Sequence, residues 1–482
     1  MTDPTTAPIA RDRAIFCNRT LNLRAIGAIG YDMDYTLVQY RVAEWEAAAF
    51  EHSRLRLARQ GWPVDGMRFD PAQVTQGLIV DTELGNLVKA NRFGYAVRGL
   101  HGRQPLEFDE QRRQYGHAVV DHRDPRFAIL STLFSLSLAS LYGQAVELYD
   151  QRLLPGVTGY ADLLHRVRRA IDEVHSEGAL KAEILAHTDR FVELDPETAQ
   201  ALLDQRDAGK KLLLITNSEW SYTRQIMSHA FDRYLPAGTT WRNLFDVVIV
   251  AARKPEFFSS QSSLFEVVDE EQGLLRPVTG ALERGHVYHG GNASLVEQKL
   301  GLSGDQILFV GDHFFGDVHA TKSGLRWRTA LIVRELEPEI DAIDHFASQQ
   351  ATLTALMARK DQLEQQHCGL RLELQRAQNK RSERSRADLD QVRRDIGGLR
   401  VQIDALDEQI GPLARAAGEL NNPQWGLLLR AGTDKSYLAF LIERFADVYT
   451  ARVSNFALAT PFRYFRAKRA PLPHDDAGEG SG

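Results

Sequence analysis

Five short runs of nearly unbroken apolar residues punctuate the chain: Arg24 to Tyr31, Lys211 to Ile215, Phe245 to Val250, Gln306 to Val310 and Thr329 to Val333. Each has the length of a strand, and a strand that is apolar on both faces must be buried on both faces. Helical patterns lie between the runs, and strands alternating with helices give a parallel sheet covered on either side. The pattern predicts a doubly wound, Rossmann-like α/β core. About 180 residues separate the first run from the second, whereas a crossover needs only about a dozen. An inserted cap is therefore expected, mostly helical, with Leu163 to Val174 as an amphipathic helix and Phe127 to Tyr149 as a more apolar one.

Further on, Leu389, Val392, Ile396, Leu399, Ile403, Leu406 and Ile410 alternate spacings of three and four, an a/d heptad seam. Leu356, Leu363, Leu370 and Leu374 form a looser upstream counterpart. The polar stretch Asn379 to Arg386 between them suits the tip of an antiparallel helical hairpin, each arm on the order of 35 Å at about 1.5 Å per residue. The division expected is core 12–97, helical cap 98–180, core 181–345, helical hairpin 346–416, a C-terminal helical segment 417–470 packing on core or cap, and a disordered tail 471–482. No internal repeat is visible.

Composition narrows the class. With 43% hydrophobic and 25% charged residues, the chain has ample apolar surface to bury and is not disordered. A net charge of -6 argues against a dedicated nucleic-acid binder, which carries basic excess. Arg-rich NKRSERSR suggests RNA contact, but its interleaved acids favour a solvated hairpin tip. The two cysteines, Cys17 and Cys368, support neither a disulfide framework nor a cysteine metal site. The first residues, MTDPTTAPIARDR, lack the apolar stretch of a secretory signal, and no run of eighteen apolar residues occurs. A soluble cytoplasmic protein without nucleic-acid or membrane partners is expected.

Polar clusters follow four of the apolar runs: Asp32 and Asp34 in YDMDYTL, Thr216 in LLLITNS, Lys254 in VVIVAARKP, and Asp312 with Asp317 in ILFVGDHFFGD. In an open parallel sheet, ligands bind outside the carboxyl ends of the strands, so these clusters share one crevice. A phosphate monoester carries roughly two negative charges near neutral pH and is repelled by a bare carboxylate. A nucleophilic Asp32 needs cations beside it. Magnesium takes hard oxygen ligands, which Asp32, Asp312 and the backbone carbonyl of Asp34 can supply. Lys254 adds a second positive charge. The Thr216 hydroxyl and the amides of Asn217 and Ser218 suit phosphoryl oxygens. Asp317 is placed behind these, orienting Lys254 or metal-bound water. Asp34 is left as general acid toward the leaving oxygen and then as base toward water. Each residue alone has a plain structural explanation: a solvated turn, a surface cation or a helix cap. Their joint order along the chain is what points to chemistry.

These clusters resemble the motifs of the haloacid-dehalogenase superfamily, and their wording is similar to the cytosolic purine 5'-nucleotidases specific for inosine and guanosine monophosphates. The similarity runs from FCNRTLNL through YDMDYTL, GLIVDTELGNLVK, TNSEWSYT, ARKPEFF and VYHGG to GDHFFGD, and resumes weakly from Phe445 to Tyr464. It implies a magnesium-dependent 5'-nucleotidase with Asp32 as nucleophile, and Phe134, Arg168, Asp172, His175 and Lys181 on the nucleoside side of the cleft. It also implies self-association, as a dimer or tetramer. Ser176 departs from the aromatic residue expected there, and the heptad stretch departs as well. Two alternatives stay open: another phosphatase or a nucleoside phosphotransferase on the same fold, and a non-catalytic protein that binds a partner through its hairpin.

Overall fold

The computed structural model describes residues 9–469, apart from residues 177, 380 and 382–384 and the side chain of residue 323. The expected tail, 471–482, lies outside the described residues, as does part of the expected hairpin tip.

Ten strands form the main sheet: β1 (Phe16–Cys17), β2 (Ala28–Tyr31), β3 (Lys211–Ile215), β4 (Val247–Val250), β5 (Leu264–Asp269), β6 (Leu274–Pro277), β7 (Val287–Gly290), β8 (Ile307–Gly311), β9 (Arg328–Ile332) and β10 (Val448–Thr450). Their order is β1-β10-β9-β8-β2-β3-β4-β7-β5-β6. From β10 to β7 every neighbouring pair is parallel. The chain leaves β2 in one direction through β3, β4 and β7, then returns to its other side at β8 and β9. The doubly wound α/β core expected from the apolar runs is thus present, with its topological switch between β2 and β8. β2 starts at Ala28, later than its apolar run, because the Asn22 side chain accepts the Arg24 amide and turns Leu23–Ala25 into a single 3-10 turn.

The insertion between β2 and β3 carries more sheet than the apolar pattern indicates. Phe127–Leu130, Leu78–Asp81, Asn86–Ala90, Ala96–His101 and Gln104–Pro105 form a five-stranded antiparallel sheet, which runs across the expected boundary at 97/98. The apolar stretch from Phe127 to Tyr149 is not one helix. Its first four residues pair with Leu78–Asp81, Thr132 is extended, and the helix proper, α2 (Leu136–Asp150), follows. Long-range strand pairing outweighs local helical preference there. Against α2 pack α1 (Val42–Arg59) and α3 (Tyr160–Ser176), and the short α4 (Ala179–Ala186) packs against both of these. On α3, Leu163, Leu164, Val167, Ala170, Ile171 and Val174 are buried, the amphipathic stripe its sequence indicates. After β3 comes α5 (Trp220–Phe231).

The segment 417–470 is less helical than its expectation, since it supplies strand β10 beside the helix Tyr437–Phe445. Between that helix and strand, Asp447 is fully buried and accepts from Arg19 at 2.8 Å, Lys322 at 2.8 Å and Arg328 at 3.0 Å. One carboxylate thus ties both chain ends to the core.

Residues 338–427 form a separate compact unit. It is built on α6 (Leu336–Gln378) and α7 (Arg386–Gly418). Their 43 and 33 residues extend about 65 and 50 Å, longer than the expected arms. Val392 and Ile410 are buried and the other five seam residues of α7 half-buried, while most residues between are exposed. Lys360 of α6 reaches Asp407 of α7 at 2.5 Å.

Candidate active site

Asp32 directly follows β2 and Asp312 directly follows β8, so the topological switch brings both carboxylates to one place. After Asp32 the chain folds back sharply: the amides of Thr36, Leu37 and Val38 all donate to the Met33 carbonyl, and Tyr35 takes a left-handed φ of 55°. This turn sends the Thr36 hydroxyl to Asp312 Oδ1 at 3.3 Å. Thr132, from the inserted sheet, approaches Asp312 Oδ2 at 3.4 Å. Asp317 lies in the wide helical turn Phe314–His319, and its Oδ2 accepts the His313 amide at 3.1 Å. The turn needs Gly311, because a Cβ there would stand 2.3 Å from Asp317 Oδ2.

Lys254 arrives from the loop after β4, its side chain almost wholly buried. Its Nζ stands 2.7 Å from Asp32 Oδ1 and 2.8 Å from Asp317 Oδ1. The loop holds left-handed residues at Ala251 and Arg253, a conformation costly for side chains with a Cβ. The Asn217 side chain secures it by accepting the Lys254 amide at 2.6 Å and donating to its carbonyl at 3.0 Å. Thr216, at the end of β3, accepts the Ser218 amide on its hydroxyl at 3.0 Å. Asp34 accepts from the hydroxyls of Tyr40 at 2.5 Å and Ser218 at 2.8 Å.

Asp32, Asp34, Thr132, Thr216, Asn217, Ser218, Lys254, Asp312 and Asp317 line one cleft of about 880 Å³. Its other wall is Phe134, Arg168, Asp172, His175 and Lys181, so every site residue singled out from the sequence faces the same space. Phe134 sits edge-on to Tyr35, Trp45 and His175, with ring centres 4.8, 5.6 and 5.7 Å away. Lys181 lies nearer the reacting end than its neighbours on α3, with Nζ 3.2 Å from Ser218 Oγ.

A sequence model of the 5' nucleotidase family matches residues 15–477. The chain belongs to the 5' nucleotidase family. It is accordingly a phosphoric monoester hydrolase. Among curated relatives, the human 5'-nucleotidase domain-containing protein 2 is 28% identical over 491 residues, 98% of this chain and 87% of the relative. The rat protein of the same name is also 28% identical, with 82% of its length covered. A solved haloacid dehalogenase-like hydrolase from Xanthomonas campestris aligns with 64% of this chain and 82% of its own, at 13% identity and a TM-score of 0.25. The fold assignment rests on the sheet order described above.

In this 5' nucleotidase family member the electrostatics favour a cation. Asp32, Asp312 and Asp317 offer oxygens within 4.8 Å of one another, so Asp317 stands as close to the cluster as the two acids expected to bind metal. Burial raises the Asp32 carboxyl to about 6, against the pull of Lys254 and with the push of Asp317. Burial, then Asp32 and Asp317, lifts Asp312 well above the carboxylate range. Three carboxyls so packed are not all ionised without compensating charge. Three oxygen donors without nitrogen or sulfur suit a hard cation. Burial opposes the charge on Lys254, but Asp317 and Asp32 outweigh it and hold its ammonium at about 12.

At the far wall, burial and then Lys181 push His175 down to about 4, so the ring is neutral at pH 7. Its Nε2 is buried without a hydrogen-bond partner among the described residues. Thr36, Tyr40, Trp45, Thr132 and Tyr222 also build the site and were not singled out from sequence. Thr36 sits inside the YDMDYTL motif and was within reach. Tyr222 sits inside TNSEWSYT and was within reach too, whereas Tyr40, Trp45 and Thr132 come from segments with no pattern that marks them.

Proposed function

We propose that this chain hydrolyses purine nucleoside 5'-monophosphates, inosine and guanosine monophosphates foremost, through an aspartyl phosphate on Asp32. The observation that carries this reading is the continuity of the cleft, from Asp32, Lys254 and Thr216 at one end to Phe134, Arg168, Asp172 and His175 at the other. That span matches a ligand with a phosphate at one end and a flat heterocycle at the other.

Asp32 attacks phosphorus while Lys254 offsets the charge on the phosphoryl oxygens. The Thr216 hydroxyl and the amides of Asn217 and Ser218 hold those oxygens. Magnesium, held by the acidic trio and the Asp34 carbonyl, would neutralise phosphate and carboxylate charge together. Asp34 protonates the departing 5'-oxygen and then takes a proton from the water that opens the acyl phosphate.

At the far wall Arg168 donates to a purine carbonyl or ring nitrogen, whereas adenine presents an amino donor at that edge. An unpaired buried donor costs about 1 to 3 kcal/mol. The test is phosphate release from a panel of nucleoside monophosphates and sugar phosphates, with magnesium and with chelator. Arg168→Ala should lower the inosine-over-adenosine ratio of kcat/KM about 5- to 150-fold while sparing a small aryl phosphate. Equal losses on all esters, or a wild-type preference for pyrimidine or adenosine monophosphates, overturns the substrate reading.

A further inference from the structure

Both carboxylate oxygens of Asp34 are occupied. Tyr40 donates to Oδ1 at 2.5 Å and Ser218 to Oδ2 at 2.8 Å. The two donors are themselves held. Ser218 Oγ accepts from Lys181 Nζ at 3.2 Å. The Tyr40 hydroxyl lies 2.9 Å from that of Tyr222 on α5, and its buried ring packs against Trp45 and Tyr35 with centres 4.3 and 5.3 Å away. Tyr40 is not among the residues that line the cleft. Whatever it does for the reaction, it does through Asp34.

We propose that Tyr40, backed by Tyr222, is the positioning residue that aims the Asp34 carboxyl at the leaving oxygen and keeps it aimed through both half-reactions. The inference rests on the aspartyl-phosphate reading above. In the first half-reaction a bond forms between Asp32 and phosphorus, the ester oxygen–phosphorus bond breaks, and the Asp34 proton passes to the departing oxygen. In the second, water oxygen bonds to phosphorus, the acyl phosphate opens, and a proton from that water returns to Asp34.

Asp34 therefore alternates between carboxyl and carboxylate. The proton passed on must sit away from Tyr40, so the Tyr40 hydroxyl donates to Oδ1 in both forms, and the Tyr222 hydroxyl at 2.9 Å holds it in place.

The experiment compares wild type, Tyr40→Phe and Tyr222→Phe on inosine 5'-monophosphate, ribose 5-phosphate and p-nitrophenyl phosphate. For a two-step transfer kcat/KM reports only the first half-reaction. An alkoxide needs the acid, whereas p-nitrophenolate leaves without it. In Tyr40→Phe, kcat/KM on the two sugar esters should fall about 10- to 100-fold, the scale of misplacing a catalytic group. On p-nitrophenyl phosphate kcat/KM should change less than about 3-fold, and on the sugar esters the loss should lie in kcat with KM nearly constant. Tyr222→Phe should show a smaller loss with the same ester dependence. Equal losses on all three esters, or a rise in KM alone, overturns the proposal and leaves Tyr40 a packing residue. If Tyr40→Phe loses its thermal transition, Tyr222→Phe decides by the same comparison. If wild type ignores inosine monophosphate but cleaves ribose 5-phosphate, the nucleotide reading fails while the other two esters still decide the role of Tyr40.

Discussion

Exchanging Asp32 for asparagine puts an amide where the proposed mechanism forms an acyl phosphate. Turnover should fall by a factor on the order of 10⁴ or more, measured as phosphate release from a variant with an unchanged circular dichroism spectrum. Near-normal turnover would remove Asp32 as nucleophile. Two buried acids outside the chemistry set the pH dependence of stability in opposite directions. Against the cost of burial, Arg328, Lys322 and Arg19 hold Asp447 down at about 2, from an ordinary 3.8. The unfolded chain therefore takes up that proton first as pH falls, and stability present above about pH 4 is lost toward pH 2. Glu46, buried against α2 with the Ser137 amide on Oε2 at 2.8 Å, is raised by burial to about 8. Here the folded chain holds the proton longer, so stability falls as pH rises from about 4.5 to 8. Urea titrations should find that Asp447→Asn flattens the acid limb and that Glu46→Gln removes the loss between pH 5 and 8. An unchanged slope in either variant would refute the assignment for that residue. At this scale the sequence exposed the groups that follow strands in recognisable words, Asp32, Lys254 and Asp312. It did not single out Tyr40, Tyr222 or Thr132, because a hydroxyl that folds back onto a carboxylate or onto another hydroxyl leaves no periodicity.

Among the elements, legibility followed burial on two faces. Lys211–Ile215 and Ile307–Gly311 are almost wholly apolar and buried, and they stood out. Asn86–Ala90 is also buried throughout, yet its sequence is NLVKA. The Asn86 amide is satisfied by Gln114 and Tyr115, a compensation visible only in three dimensions, so the antiparallel sheet of the insertion was missed. β10 has three residues, too few for any period. The α7 seam was legible because half-exposed helices must keep their apolar stripe. Leu363, buried on α6, tests that stripe: Leu363→Ala should weaken the hairpin by about 2 to 5 kcal/mol. Loss of helical signal on heating should come earlier, with phosphate release unchanged. Deleting the distal half of the hairpin should alter solution mass or stability more than the chemical step; a folded deletion of unchanged mass that lost all chemistry would contradict this.

For the molecule as a whole, the crowded acids couple folding to any cation that binds among them. Packing Asp32, Asp312 and Asp317 together costs stability unless a cation accompanies them, and any ion that binds only the folded form raises its stability by mass action. Millimolar magnesium should raise the unfolding midpoint of wild type and leave that of Asp312→Asn nearly unmoved, and chelator should stop turnover. Full activity in excess chelator would contradict the metal reading. The order of strands in the sheet also sets a timetable. β2, which presents Asp32, is complete at Tyr31, but its two neighbours end at Ile215 and Gly311, and the last parallel strand ends at Thr450. At about 5 to 20 residues per second, a ribosome needs roughly 20 to 80 s to travel from the first of these positions to the last. For that interval the nascent chain carries apolar strands with open edges, and β9 stays unpaired on one side until Val448 emerges. A message cut short after codon 427 should therefore yield aggregated protein and not a slower enzyme, because the missing piece is the strand and the Asp447 carboxylate that close the sheet.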